Sequence, residues 1–360
     1  MTYEAEQEPE LIVRRDGAVG RLTLNRPQAL GALTLGMCEA MTAALLEWRG
    51  DAGVEAVLID HAGERGFCAG GDIRWLAESG AGDGGAARRF FHTEYRLNHL
   101  LAVYEKPIVT FMDGVTMGGG VGISLPARYR VATERTRLAM PETGIGLFPD
   151  VGAGWWLPKL HGRTGLWMVL TGARLGAADC ELLGLSTDVV AAAQVEDVKA
   201  AIAREPDAIE GVLTEYETDP GRSTVGGQRD DIDRLFAGQT LEDVVAGLES
   251  DGGEWALAQL EAMRPKSPMS AKVSFRLIGG ALAPASMAED LVTEYRLASR
   301  IVRSHDFLEG VRAVIVDKDN RPGWDPASLA SMTDVRVDAL FAPLPAGEEW
   351  TPLPDLGPGF

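Results

Sequence analysis

Cysteine is scarce in this chain: three in 360 residues, Cys38, Cys68 and Cys180. An odd number of widely spaced thiols offers neither a disulfide frame nor a metal-ligand spacing, and it suits the reducing cytoplasm. Histidine is little more frequent. His61, His92, His99, His161 and His305 show no ligand spacing, and His92 and His99, one heptad apart on an expected helix, read as packing or surface residues. No window is apolar and uncharged for long enough to cross a bilayer. The opening MTYEAEQEPE has neither the order of a signal peptide nor the Arg-rich character of a transit peptide, so a cytoplasmic location is expected. There is no G-x-S-x-G elbow, which leaves a serine thioesterase unsupported. Positive charge is also in short supply: 34 Lys and Arg against 53 Asp and Glu give a net charge of −19. That balance argues against nucleic-acid and anionic-membrane partners.

What is present is ordinary in amount and unusual in arrangement. Hydrophobic content of 46% and charged content of 24% are those of a soluble globular protein. Residues 116–150 organise the rest. A glycine run, Gly118-Gly119-Gly120, follows the apolar segment 108–112, and two acids, Glu142 and Asp150, close the stretch amid apolar, Gly and Pro residues. Glycines after a buried strand let backbone come close to something, and a helix opened by glycine leaves free N–H groups pointing at it. A second stretch, GFCAGGDI at 66–73, follows the apolar segment 56–59. Two such turns can supply two N–H donors for a developing oxyanion, with two acids nearby to move protons. Blander readings stand beside these. The glycines make tight turns, Cys68 is a small apolar filler, Glu142 caps a helix start, and Asp150 is a plain N-cap.

Taken in order, 11–15 and 18–24 alternate around Asp16-Gly17, a hairpin signal. Thr34 caps a helix carrying Met37, Met41, Ala44, Leu45 and Trp48 at helical spacing. Residues 56–60 form a buried strand, 80–86 a flexible Gly-rich loop, 87–104 a helix, 107–112 a strand, and 129–132 and 138–139 further strands. Recurring strand, turn and helix point to an α/β fold. Beyond about 190 the pattern turns helical, with segments at 195–204, 208–218, 240–250, 271–282 and 287–304. Residues 220–228 read as a connecting loop and the Pro-rich end as irregular. The expected division is 1–190, holding the active site, and 191–360, mainly helical.

Three of these stretches, FCAGGDI, KPIVTFMDGVTMGGGVGIS and AMPETGIGLFPDVGAGWWLPKL, resemble the crotonase (enoyl-CoA hydratase/isomerase) superfamily. The resemblance runs from about Leu22 to Leu185. A later piece, SHDFLEGVRAVIVDKDNRPGWDP, matches the branch of that superfamily which hydrolyses 3-hydroxyisobutyryl-CoA, a step of valine breakdown. The resemblance implies a core of repeated ββα turns wound as a spiral. It also implies an acyl-CoA substrate and no cofactor, since CoA arrives as part of that substrate; whether the chain is a homo-oligomer is left open. Hydratases of the superfamily typically use two glutamates. Here Glu142 keeps the second, whereas Gly122 stands at the first, and the hydrolase branch carries its second acid where Asp150 stands. Carried over residue by residue, Glu142 and Asp150 are the catalytic pair, Ala69 and Gly119 supply the oxyanion N–H groups, and Glu94 and Gly119 contact substrate. The plain alternative for Glu94 is a solvated helix-face acid. The turn Asn25–Leu30 resembles the family's CoA-adjacent turn, but Gln28 and Gly31 stand where the family often has Lys and Asn. The expected function is therefore hydrolysis of a short-chain acyl-CoA thioester. The alternatives are an enoyl-CoA hydratase or isomerase using Glu142 alone, and a CoA-binding relative without turnover.

Overall fold

A computed structural model describes residues 8–280, 282–354 and 356. The hairpin forms as expected: β1 (Leu11–Asp16) pairs antiparallel with β2 (Val19–Leu24). From there the main sheet is parallel. It adds β3 (Ala56–His61), β5 (Ile108–Met112), β7 (Tyr129–Ala132) and β9 (Asp188–Val189) in the order β1-β2-β3-β5-β7-β9. A second, three-stranded parallel sheet joins β4 (Gly66–Cys68), β6 (Val115–Met117) and β8 (Arg137–Ala139). Each successive pair, β3/β4, β5/β6 and β7/β8, gives one strand to each sheet. That recurrence is the repeated unit the sequence led us to expect. The short strands β4 and β6 had read only as turn and glycine punctuation, because three residues cannot display a period of two.

The helices follow from local signals. Thr34 Oγ1 accepts the Met37 N–H at the start of Leu35–Gly50, and Thr240 and Asp243 form a reciprocal capping box at the start of Leu241–Asp251. Ser267 caps Pro268–Ile278, which begins three residues earlier than its apolar pattern suggested. The expected flexible loop over 80–86 is a correction. Residues 73–81 and 85–102 are helical, Ile73–Ala81 and Gly85–Ala102, with three residues between them. Within the first of these helices position 80 calls for glycine because helix and chain touch there: a Cβ would come 2.0 Å from the Val302 carbonyl.

Packing crosses residue 190. Val19, Leu58, Val109 and Phe111 on one face of the main sheet are covered by Val198, Ile202, Ile209 and Leu213 of helices Val195–Arg204 and Ile209–Glu215. An ionic contact fastens them, Lys199 Nζ lying 2.8 Å from Asp60 Oδ2 on β3. The other face belongs to an apolar cluster that continues to Trp350. The Pro-rich end is irregular as far as it is described, yet tied down. Trp350 is 2% exposed, and its indole N–H donates to the His92 carbonyl at 3.2 Å.

Candidate active site

Parallel pairing of β4 and β6 brings their exits to the same end of the small sheet. Both exits are glycine turns with φ at +106° for Gly70 and +49° for Gly118, a region side chains rarely occupy. The turns touch: a Cβ on Gly70 would lie 3.5 Å from the Gly119 nitrogen. The Ala69 N–H, expected to face a ligand, is committed elsewhere, since it donates to the Leu30 carbonyl at 2.9 Å. Two residues on, the turn forms a parallel bridge with Leu33, made by Leu33 N–H to Gly70 O (2.8 Å) and Asp72 N–H to Leu33 O (3.0 Å). The Gly71 N–H between those bonds faces the opposite side and meets no protein acceptor among the described residues. Gly119, the first residue of the one-turn helix Gly119–Gly122, also keeps a free N–H. Gly71 and Gly119 thus each bring an N–H without a protein acceptor among the described residues to the cavity wall.

All three expected acids converge on these turns. Glu94 lies on the helix Gly85–Ala102 and is 2% exposed, so the solvated reading fails. Its Oε1 has no partner among the described residues and sits 2.4 Å from where a Gly119 Cβ would stand. Glu142 opens the 3-10 turn Glu142–Ile145 without capping it. Its Oε1 would touch a Gly118 Cβ at 3.0 Å, and its Oε2 is buried without a partner among the described residues. Asp150 is not a side-chain cap either. Gly152 holds the cap position of the short helix Ala153–Trp156, and Asp150 accepts the Ala153 N–H through its backbone carbonyl at 3.1 Å. Its Oδ2 instead accepts the hydroxyl of Tyr95 at 2.8 Å. Nothing in the sequence singles out Tyr95 as a site residue; its place next to Glu94 on one helix is the available signal.

Burial without enough positive charge shapes the electrostatics. Burial first, and the Asp150 charge second, push the Glu142 carboxyl well above its usual range; its own backbone N–H and Lys266 only partly oppose this. The same two causes push Glu94 well up. Asp150 is pushed by burial to about 6, with the Tyr95 hydrogen bond pulling the other way. Raised carboxyls that feel one another's charge titrate as a group, which equips them for acid–base work.

These groups line one cavity of about 600 Å³. Its wall is not confined to the first 190 residues, because Pro265, Lys266, Ile315 and Asn320 complete it. Arg174 and Lys266 bring positive charge to the cavity of an otherwise acidic chain, and neither makes a salt bridge among the described residues. The Asn25–Leu30 turn behaves differently. Arg26 is braced by Asp72 at 3.0 Å and by the Ala32 carbonyl at 2.8 Å, so it fixes the first glycine turn in place. Gly122 is sealed: a Cβ there would come 2.5 Å from Val151 Cβ and 2.9 Å from Asn98 Nδ2. A hydratase-type glutamate has no room at that position.

Comparison with known proteins agrees with this geometry. A curated 3-hydroxyisobutyryl-CoA hydrolase, mitochondrial, of Danio rerio is 42% identical over 344 residues, covering 93% of this chain and 90% of the relative. The crystal structure of a carnitinyl-CoA dehydratase from Mycobacterium thermoresistibile superposes with a TM-score of 0.90 at 38% identity, covering 95% and 98% of the two chains. That of an enoyl-CoA hydratase from Rhodobacter sphaeroides gives 0.88 at 40% identity, covering 95% and 100%. Residues 19–341 match the family model described as Enoyl-CoA hydratase/isomerase. With a spiral of two parallel sheets, paired glycine turns and a match over most of its length, the chain belongs to the enoyl-CoA hydratase/isomerase family.

Proposed function

We propose that this protein hydrolyses the thioester of a short-chain acyl-CoA, with 3-hydroxyisobutyryl-CoA as its substrate and 3-hydroxyisobutyrate and CoA as products. One observation carries the reading. Two free N–H groups, of Gly71 and Gly119, open into a cavity that also holds Glu142, Asp150 and Glu94, while Gly122 leaves no space for a second hydratase acid. The relatives named as 3-hydroxyisobutyryl-CoA hydrolases support it.

In this reading the thioester oxygen sits between the Gly71 and Gly119 N–H groups. Attack at the carbonyl carbon builds charge on that oxygen, and one such donor is typically worth ~2.7–4 kcal/mol of barrier. Glu142 attacks, either itself or through a water it deprotonates; its raised pKa makes it the stronger base. The thiolate of CoA leaves and takes up a proton; where Glu142 itself has attacked, water then cleaves the resulting mixed anhydride, releasing 3-hydroxyisobutyrate and restoring the Glu142 carboxylate. Asp150, aimed by Tyr95, orients water or the acyl 3-hydroxyl, and Glu94 contacts the acyl group beside Gly119. Arg174 and Lys266 meet the anionic CoA at the cavity. CoA arrives on the substrate, so the proposed chemistry calls for no separate cofactor.

The compartment proposed is the cytoplasm, supported by three free, buried cysteines. The Danio rerio relative is named as mitochondrial, and reduced thiols suit either compartment. Among the described residues no helix is long and apolar enough to cross a membrane.

The dehydratase and hydratase names of the two similar crystal structures favour a second reading, alkene hydration on the same scaffold. Two assays on one preparation decide. Thiol release from 3-hydroxyisobutyryl-CoA with no absorbance change on crotonyl-CoA supports hydrolysis; the reverse pattern overturns it.

A further inference from the structure

The five residues from Asp150 to Gly154 make a sharp turn. Val151, a β-branched residue, sits at φ +60°, where such side chains are rarely found. Its side chain is pressed against Gly122. The turn's own bonds, Ala153 N–H to Asp150 O and Trp155 N–H to Gly152 O, do not engage Val151. What grips the segment comes from far along the chain. Glu294, on the helix Met287–Ile301, is completely buried. Its Oε2 accepts the Gly152 N–H at 2.8 Å and its Oε1 accepts the Gly154 N–H at 3.2 Å. One carboxylate thus bridges both glycines that follow Val151.

Asp290, one helical turn earlier, supports that grip. It is 2% exposed, and burial pushes its carboxyl up to about 7, while burial and the Asp290 charge push the Glu294 carboxyl well above its usual range. It also lies so close to the backbone that a Cβ on Gly154 would come 2.1 Å from its Oδ1. A buried acid pair has a high desolvation cost, and a fold that needed only packing here would be served by apolar residues. Of the two, Glu294 is the acid aimed at the Gly152 and Gly154 N–H groups.

We infer that Glu294 is a positioning residue for Asp150: by holding the Gly152 and Gly154 N–H groups it fixes the left-handed turn at Val151 and thereby the direction in which Asp150 enters the cavity. Tyr95 holds the Asp150 side chain from the other side, 2.8 Å away. Asp150 is therefore set by two partners on different helices, one acting on its carboxylate and one on the backbone that carries it. This inference rests on the hydrolase reading, in which Asp150 acts on the substrate.

The test is a double-mutant cycle on the full-length protein, using thiol release from 3-hydroxyisobutyryl-CoA. Glu294→Gln leaves one acceptor oxygen for two donors and should lower kcat by about 10- to 100-fold with KM within about 2-fold, since displacement of a reacting group by an ångström costs on that order. In an Asp150→Asn background the same substitution should cost less than about 2-fold, because the residue it positions is already disabled. An equal loss in both backgrounds, or wild-type kcat in a folded Glu294→Gln, overturns the inference. If Glu294→Gln does not fold, Glu294→Asp, which withdraws the carboxylate by one methylene, takes its place in the cycle. Failure of both to fold assigns Glu294 a purely structural role and overturns the inference. A wild-type enzyme that releases no thiol overturns the hydrolase reading itself, and this inference with it.

Discussion

The Tyr95 hydroxyl donates to Asp150 Oδ2 across 2.8 Å, with both residues buried and Asp150 in the cavity wall. Burial pushes the Tyr95 phenol well above its ordinary range, so it is a donor at every working pH. The bond favours the charged form of Asp150 and partly offsets the burial that raises its pKa to about 6. Two expectations follow for a reaction that uses Asp150 as carboxylate. In the wild type, kcat/KM should fall on acidification through about 6, as Asp150 takes up its proton. In Tyr95→Phe the carboxylate loses its donor, the pKa climbs further, and the acid limb should move to higher pH. A limb that stays in place, measured by thiol release across pH 4.5–8, removes Tyr95 from the ionisation of Asp150.

The proposed catalytic pair should separate function from fold in a recognisable way. Glu142→Gln and Asp150→Asn should each lower kcat at least ~100-fold, the usual contribution of a positioned acid or base. Neither should cost stability. Asp150 titrates near 3.8 when unfolded and at about 6 when folded, so the folded state binds the extra proton between those values and stability falls as pH rises through that window. Above it the buried charge costs roughly 3 kcal/mol, at ~1.36 kcal/mol per pKa unit. Asp150→Asn carries no such charge and should melt higher than wild type at pH 8, while matching it more closely at pH 4. Wild-type hydrolysis by Asp150→Asn would reduce Asp150 to a structural acid.

Much of this site could be read before any coordinates, and the limits of that reading are physical. The glycine turns, Glu142 and Asp150 stood out because glycine runs and isolated acids in apolar surroundings are visible residue by residue. Thr34 and Thr240 announced their helices in the same local way. Ala69 was the wrong donor because its N–H is taken by the Leu30 carbonyl, 39 positions earlier, and that pairing is not local. The helix Thr164–Thr171 was missed since all eight of its residues are buried, and a segment apolar all round has no period. Glu294 was passed over as one more charge on an amphipathic helix. Only the fold brings it to Gly152, 142 positions away.

Gly122 gives a prediction about what this scaffold will not do. The wild type should hydrate crotonyl-CoA weakly or not at all. Restoring a glutamate should not help, because a Cβ at 122 meets Val151 Cβ at 2.5 Å and Asn98 Nδ2 at 2.9 Å. Overpacking a filled interior typically costs ~1–3 kcal/mol, and the atom displaced here belongs to the residue after Asp150. Gly122→Glu should therefore melt several degrees lower and also lose thioesterase activity, without gaining hydration. A stable Gly122→Glu enzyme that hydrates crotonyl-CoA would show that the absent glutamate alone separates the two chemistries.

Glu94 is where substrate choice should be decided. Its carboxyl is buried, its Oε1 has no protein partner among the described residues, and it faces Gly119 inside the cavity. Burial and the neighbouring Asp150 charge push it well above the usual carboxylate range. A buried polar group left without a partner is costly, and a substrate hydroxyl that satisfies it is selected strongly, by as much as ~10⁴-fold in favourable cases. 3-Hydroxyisobutyryl-CoA carries such a hydroxyl and isobutyryl-CoA does not. The wild type should accordingly prefer the hydroxylated compound in kcat/KM. Glu94→Ala removes the partner the hydroxyl seeks and should shrink that preference more than it slows the isobutyryl reaction. An acid that only supports the helix would slow both substrates alike. Four kcat/KM values, two enzymes on two substrates, separate the cases: an unchanged ratio in Glu94→Ala takes Glu94 out of the acyl site.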